Sequence, residues 1–141
     1  MKGITLVELV VVMAIVAILL TFAGPPMSAG LDNILLQSTG QRALAAFRLA
    51  QNTARSSGQR VLALQNGENL NFVREDKIYQ TLELPSGIRM NAEDRIFVFL
   101  ESGRIIGPDA LELTNARGRQ VRLLVDRAHG TVKLAKQDQT N

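Results

Sequence analysis

Residues 4–23 read ITLVELVVVMAIVAILLTFA, an apolar run in which Glu8 is the single charged side chain. A helix of about twenty residues rises ~30 Å, which matches the hydrocarbon core of a bilayer. Gly24, Pro25 and Pro26 follow the run, and proline interrupts a helix because it lacks an N–H and crowds the preceding turn. The run therefore predicts a membrane-spanning helix that ends or bends at the prolines.

A cleaved secretory signal is a second interpretation of this run. Such a signal has a basic start, a shorter apolar segment and a cleavage site of small residues. Lys2 is the only basic residue before the run, and the small residues Ala23 and Gly24 are followed by Pro25. Proline directly after a signal-peptidase site is unfavourable, so a retained helix explains the run better.

Glu8 is the unusual residue of the run. An acidic side chain at the centre of a membrane helix costs about 2.5–3.5 kcal/mol on insertion scales, so it needs a partner or a position near water. One interpretation places Glu8 near the membrane surface, where it reaches the headgroups. The other joins it with Gly3, Ile4 and Thr5 into one recognition pattern.

The pattern Gly-Ile-Thr-Leu-Val-Glu over residues 3–8, followed by apolar residues, resembles the class III signal of type IV prepilins and type II secretion pseudopilins. The resemblance implies that prepilin peptidase cuts between Gly3 and Ile4 and methylates the new N-terminus at Ile4. It also implies that Glu8 pairs with the N-terminal amine of a neighbouring subunit during assembly. Two groups that are each costly in hydrocarbon are tolerated as a pair.

The same resemblance implies a single-pass protein of the bacterial inner membrane whose C-terminal domain lies in the periplasm. Pro25 then corresponds to a helix kink that lets the packed N-terminal helix stretch in a filament. Two features depart from the family pattern. Ile4 stands where phenylalanine is usual, and the leader, residues 1–3, is short, although Lys2 keeps a positive charge on the cytoplasmic side.

Composition leaves room for one small domain beside this anchor. The chain has 141 residues and no cysteine, which excludes disulfide, thiol and zinc-thiolate chemistry. Its net charge of +3 and pI near 9.8 suit contact with anionic lipid or nucleic acid but are common in domains that bind neither.

Beyond the prolines, apolar residues at helical spacing predict an amphipathic helix that ends at Gly58. Its predicted buried stripe is Leu35, Leu36, Ala43, Phe47, Ala50 and Ala54. Short strands are predicted at 61–64, 70–73, 78–84, 96–100, 110–114, 120–125 and 131–134, with a hairpin turn at Asn66-Gly67. The predicted fold class is α+β, with a long N-terminal helix against an antiparallel sheet or small β-sandwich.

The predicted division is a leader at 1–3, a membrane and filament-core helix at 4–24, an amphipathic helical half at 25–57 and a β-rich periplasmic domain at 58–141. The succession FVFLESGRIIGPDALELT, RQVRLLVD and HGTVKL in the last third resembles the H-type (GspH/FimT-like) minor pseudopilins of type II secretion and related minor pilins. This resemblance implies a minor pseudopilin of a protein-export pseudopilus. A type IV pilus minor pilin, involved in pilus assembly or DNA uptake, is the alternative.

No motif predicts an enzyme, a metal site or a cofactor. His129 stands beside Gly130 without a second histidine at metal-ligand spacing, which favours a solvated turn residue. The basic residues Arg117, Arg119 and Arg122 are candidate contacts for DNA phosphates. A solvated basic face explains them better, since no aromatic residues lie between them for stacking on single strands, although double-stranded DNA stays an alternative. The expected partners are therefore other pilin-like subunits, prepilin peptidase and the inner membrane, with nucleic acid as the alternative.

Overall fold

The computed structural model describes residues 5–23, 25–92 and 96–136. The chain forms two compact units, Met1–Asp32 and Asn33–Asn141. Gly3 and Ile4, the residues predicted for cleavage and methylation, lie outside the described residues.

The first unit contains helix α1, Leu6–Ala23, and the beginning of helix α2, Pro25–Ser57. Side chains 5–21 are exposed, and they are apolar around the whole circumference of α1 apart from Thr5, Glu8 and Thr21. Within 5–23, 25–92 and 96–136, no helix combines the length and the apolar character needed to cross a membrane.

Helix α2 ends with a left-handed glycine. Gly58 has a φ of 65°, and the N–H of Gln59 donates to the carbonyl of Ala54 at 3.3 Å. This bond from the second residue past the helix to a carbonyl of the last turn is the Schellman arrangement, which satisfies an otherwise unpaired acceptor. The predicted helix end at Gly58 is confirmed.

Two antiparallel sheets follow the helices. The strands are β1 (Val61–Asn66), β2 (Asn69–Arg74), β3 (Lys77–Glu83), β4 (Ile88–Ala92), β5 (Ile96–Phe99), β6 (Ile105–Ile106), β7 (Ala110–Asn115), β8 (Gln120–Asp126) and β9 (Thr131–Lys136). Sheet A has the order β3-β2-β1-β5-β6, and sheet B has the order β4-β7-β8-β9.

Helix α2 supplies side chains to one core that also includes residues of both sheets. Phe47 makes edge-on contacts with Phe97, Phe99 and Phe72 of sheet A, with ring centroids 4.9, 5.3 and 6.2 Å away. Such edge-on pairs place the positive ring edge against a negative ring face. The predicted α+β fold, a helix packed on antiparallel strands, is confirmed.

Gly40 lets α2 approach sheet B closely. A Cβ atom on Gly40 would lie 3.0 Å from a methyl carbon of Val121 and 3.1 Å from one of Leu134. The helix therefore contacts β8 and β9 through its backbone at the same time as it contacts sheet A through Phe47. The second compact unit begins at Asn33 and therefore includes most of α2 together with both sheets.

Some local predictions differ from the structure. Strands β4 and β6 were not predicted, because β6 has only two residues and β4 mixes Arg89 and Asn91 with its apolar residues. Leu36 is buried as predicted, whereas Leu35 is 39% exposed, since neighbouring helical positions point about 100° apart. The first hairpin pairs Asn66 with Asn69, which places its turn one residue later than predicted.

Candidate functional site

The N-terminus of α1 is built by Thr5 and Glu8. The Thr5 hydroxyl oxygen accepts a hydrogen bond from the backbone N–H of Glu8 at 3.3 Å, and the Thr5 carbonyl accepts one from the N–H of Leu9 at 3.2 Å. A threonine followed three residues later by glutamate is the capping-box spacing, which satisfies N–H groups that lack a partner in the helix. Thr5 and Glu8 therefore belong to the start of the helix as well as to the predicted recognition pattern.

Glu8 occupies a favourable electrostatic position within its own chain. Its side chain is exposed and belongs to the first turn of α1, where the partial positive charge of the helix N-terminus stabilises a carboxylate by about 0.3–1 kcal/mol. This stabilisation is smaller than the cost of an acidic residue at the centre of a membrane. The helix dipole alone would therefore not offset the cost of placing Glu8 in hydrocarbon.

The predicted Gly3–Ile4 cleavage bond precedes α1, whose first residue is Leu6. Cleavage there would leave Ile4 as a new N-terminal amine immediately before the capping residue Thr5. Since Gly3 and Ile4 are outside the described residues, the cut and the methylation stay predictions.

Pro25 is the first residue of α2. The first helical position tolerates proline because its missing N–H has no partner in the helix there. The predicted kink at Pro25 stays a prediction about the assembled filament.

Two of the three candidate DNA contacts lie in a turn, and the third lies on a strand. Arg117 and Arg119 are exposed in the turn between β7 and β8, and the Asn115 side-chain oxygen orders that turn by accepting both of their backbone N–H groups at 3.0 Å. Arg122 lies on β8, and its guanidinium forms an ion pair with Glu112 at 2.5 Å. The structure therefore gives Arg122 a carboxylate partner within the sheet, a feature that the sequence alone did not indicate.

His129 lies in the turn between β8 and β9 and contacts Asp126. The Asp126 carboxylate lies 2.8 Å from the His129 ring nitrogen Nδ1 and also accepts the backbone N–H groups of Ala128 and His129. The hydrogen bond from the His129 side chain is the main reason that the pKa of Asp126 lies below its usual range. In the described part of the chain, no group of three or more His, Cys, Asp or Glu side chains could hold a metal ion.

Comparison with known proteins gives results for both parts of the chain. Residues 1–24 match the family model of the prokaryotic N-terminal methylation motif. No curated protein matches the chain.

Three solved structures share the fold. The minor pseudopilin EpsH from the type 2 secretion system of Vibrio cholerae has a TM-score of 0.60 and 19% identity, over 72% of this chain and 96% of EpsH. The type IV minor pilin FimU of Pseudomonas aeruginosa has a TM-score of 0.55 and 14% identity, over 71% of this chain and 87% of FimU. A second crystal form of FimU has a TM-score of 0.52 and 15% identity, over 71% of this chain and 92% of that FimU chain.

Proposed function

Because the chain is type IV pilin-like in its N-terminal motif and in its fold, we propose that it is a minor pseudopilin of a type II secretion system. In this role, α1 packs with the N-terminal helices of other pilin-like subunits to form a periplasmic pseudopilus that drives protein export across the outer membrane. The role is structural and not catalytic.

One combination of features carries the proposal. A methylation motif at residues 1–24 is joined in one chain to a domain whose fold matches almost the whole of EpsH. The motif supports processing and a helix that joins a filament, and the fold of the domain supports a minor subunit of the pilin-like kind.

Membrane anchoring through α1 is part of the proposal. Apart from Glu8 and Thr21, the described side chains of α1 are apolar and exposed, and a helix that is apolar around its circumference is stable only when lipid or other helices cover it. Its 18 residues rise ~27 Å, and the apolar run begins two residues before it, at Ile4. We infer that lipid covers α1 before assembly, with the C-terminal domain in the periplasm, and that neighbouring helices cover it afterwards.

A type IV pilus minor pilin is the second candidate function, and the FimU similarity favours it. DNA binding in that role would involve the exposed turn residues Arg117 and Arg119. Arg122 contributes less to such binding, because a phosphate would have to compete with the Glu112 carboxylate for its guanidinium.

Deletion and complementation of this chain tests the two candidates against each other. Loss of protein export to the medium, with surface pili unchanged, is the result expected for a pseudopilin. Loss of pili or of DNA uptake, with export unchanged, would replace the pseudopilin proposal with the minor-pilin one. The full-length wild-type chain must restore the lost activity, so that the defect is assigned to this subunit.

A further inference from the structure

The outer face of sheet A carries an uninterrupted row of aliphatic side chains, one from each strand. In the order β3-β2-β1-β5-β6 these are Ile78, Val73, Leu62, Val98 and Ile106, and they are neighbours through the strand register. With a strand spacing of ~4.8 Å the row is ~19 Å long. It crosses the whole sheet on the side away from the core.

The two ends of this row are open to solvent, and its middle residues Leu62, Val73 and Val98 are half-buried. Ile78 is 60% exposed and Ile106 is 54% exposed, and the adjoining Ile96, which pairs with Leu64, is 49% exposed. Partly exposed aliphatic side chains that follow one another across a sheet, as opposed to single scattered residues, make a candidate interaction surface.

The outer face of sheet B has the opposite character. Its neighbouring side chains include Asn91, Glu112 and Arg122, and the last two form an ion pair. Leu124 is the only large exposed aliphatic residue on the described strands of sheet B. The two broad faces of the domain therefore differ, and sheet A carries the apolar one.

A cleft of about 300 Å³ opens on the apolar face of sheet A, lined by Arg60, Leu62, Val73, Glu75, Asp76 and Val98. Glu75 accepts a hydrogen bond from the side-chain amide of Gln59. Within residues 5–23, 25–92 and 96–136, neither the Arg60 guanidinium nor the Asp76 carboxylate has a hydrogen-bond or ion-pair partner. The cleft thus combines an aliphatic floor with one unpaired charge of each sign.

The acidic residues of the cleft, Glu75 and Asp76, occupy backbone positions with positive φ, which asparagine and glycine adopt more readily. Glu75 and Asp76 form the turn between β2 and β3 with φ values of 50° and 60°. Asparagine followed by glycine is favoured in such a two-residue hairpin turn, because both positions need positive φ. The strained turn keeps both carboxylates at the edge of the apolar cleft.

We propose that the outer face of sheet A is the docking surface for the globular domain of an adjacent pilin-like subunit. The fitting partner places an aliphatic side chain on the floor of the cleft, with a cationic group beside Asp76 and an anionic group beside Arg60. The inference rests on the proposed filament role and adds to it the face and the chemistry of the contact. The polar face of sheet B remains toward solvent.

Variants on the two faces test this assignment in cells that assemble the filament. Ile106→Glu places a charge in the aliphatic row, and Leu124→Glu is the matched control on sheet B, since Leu124 is 45% exposed. Asp76→Asn removes one negative charge from the cleft and introduces a residue that adopts positive φ readily. Each full-length variant is measured for its mature mass, its thermal midpoint after detergent extraction, and its amount in sheared filaments.

We expect Ile106→Glu to lower incorporation about tenfold or more, because burying an unpaired charge opposes docking. Asp76→Asn should lower it severalfold, and Leu124→Glu should match the wild type. Equal maturation and equal thermal midpoints locate the defect in docking. Equal incorporation of all the variants would overturn the surface assignment while leaving the filament role intact. Absence of the wild-type chain from filaments would overturn both.

The absence of cysteine permits a direct identification of the partner. A benzophenone attached to Ile106→Cys should crosslink to a different pilin-like subunit, identified by mass spectrometry, whereas the same label on Leu124→Cys should not. Adducts that form only between copies of this chain, or only with proteins that are not pilin-like, would overturn the proposal.

Discussion

The side-chain nitrogen of Gln51 in α2 donates a hydrogen bond of 2.6 Å to the carbonyl oxygen of Gly130 in the turn between β8 and β9. The same nitrogen donates to the carbonyl of Gly103, in the turn between β5 and β6, at 2.5 Å. One amide group therefore joins the helix to a turn of each sheet.

Replacing Gln51 should destabilise the domain although the residue is not part of the aliphatic core. Gln51→Met keeps most of the side-chain length but removes both donors, so two partly buried carbonyls lose their partner at a cost of about 1–3 kcal/mol. Denaturant unfolding of the detergent-solubilised full chain measures this loss. Asn52→Ala, at the exposed neighbouring position, should change the free energy of unfolding by less than about 0.5 kcal/mol. Equal effects of the two variants would show that the Gln51 hydrogen bonds contribute nothing.

Gly130→Ala should be more damaging than Gly118→Ala, although both glycines have a positive φ, 64° and 78°. A Cβ atom at position 130 would lie 2.0 Å from the carbonyl oxygen of Gly103, whereas one at position 118 would meet nothing within 4 Å. Gly118→Ala therefore incurs only the left-handed strain, about 1–2 kcal/mol. Gly130→Ala must also separate two backbone segments, and its thermal midpoint should be several degrees below that of Gly118→Ala. Matching midpoints would contradict the tight packing of the two turns.

Processing of the N-terminus should produce a mature chain that starts at a methylated Ile4. Mass spectrometry of the protein from membranes measures the N-terminus directly. Replacing Gly3 by a bulky residue should block the cut, because a peptidase that recognises glycine before the cut would have little space for a larger side chain, whereas Gly3→Ala should be cut. Any other mature N-terminus would remove the basis of the predicted processing site.

Glu8→Leu should leave membrane insertion and cleavage intact but impair incorporation into the filament. In the proposed role, the change removes a carboxylate whose insertion into the membrane is unfavourable, and with it the proposed partner of the neighbouring N-terminal amine. The backbone N–H of Glu8, which donates to Thr5, is retained, so the start of α1 is preserved. Crosslinking to neighbouring subunits and an export assay, at matched expression levels, measure assembly. Normal assembly of Glu8→Leu would favour a role for Glu8 at the membrane surface.

Arg122 and Arg119 should respond differently to charge reversal. Arg122→Glu replaces an ion pair by two facing carboxylates across β7 and β8 and should lower stability by about 1 kcal/mol. Arg119→Glu changes an exposed turn residue and should leave stability within about 0.5 kcal/mol of the wild type. Duplex-DNA binding measured at several salt concentrations completes the comparison. Tight, salt-sensitive binding that Arg119→Glu weakens at unchanged stability would favour the minor-pilin alternative.

The sequence predicts those features that depend on local pattern. Helical spacing places Phe47 in the core, and Gly58 ends α2, because periodicity and left-handed glycine both act over a few residues. The Gln51 contacts are not predictable in this way, since Gln51 and Gly130 are separated by 79 positions. The sheet to which each strand belongs depends on similarly distant pairing.

The features of the candidate site also fall into two groups, those formed by adjacent residues and those that depend on strand register. The Gly3-to-Glu8 pattern is readable because its residues are adjacent, and the Thr5 cap could have been found from the threonine-to-glutamate spacing. The aliphatic row of sheet A becomes visible only when the register sets Leu62 between Val73 and Val98. The Arg122–Glu112 pair likewise depends on the register of β7 and β8.

The strand order of the two sheets shows that neither sheet is formed by one continuous segment of the chain. After β3 the chain leaves sheet A to form β4 at the edge of sheet B, then returns for β5 and β6 before it completes sheet B with β7 to β9. Strands β5 and β6 of sheet A therefore follow β4 of sheet B in the sequence. The core side chains of β1 and β2 pack against residues of β5 that come later in the chain. A chain truncated at any hairpin would leave unpaired strand edges in at least one sheet. The two sheets therefore cannot be completed one after the other along the chain, because sheet A needs residues up to Ile106 and sheet B needs residues from Ile88 to Lys136.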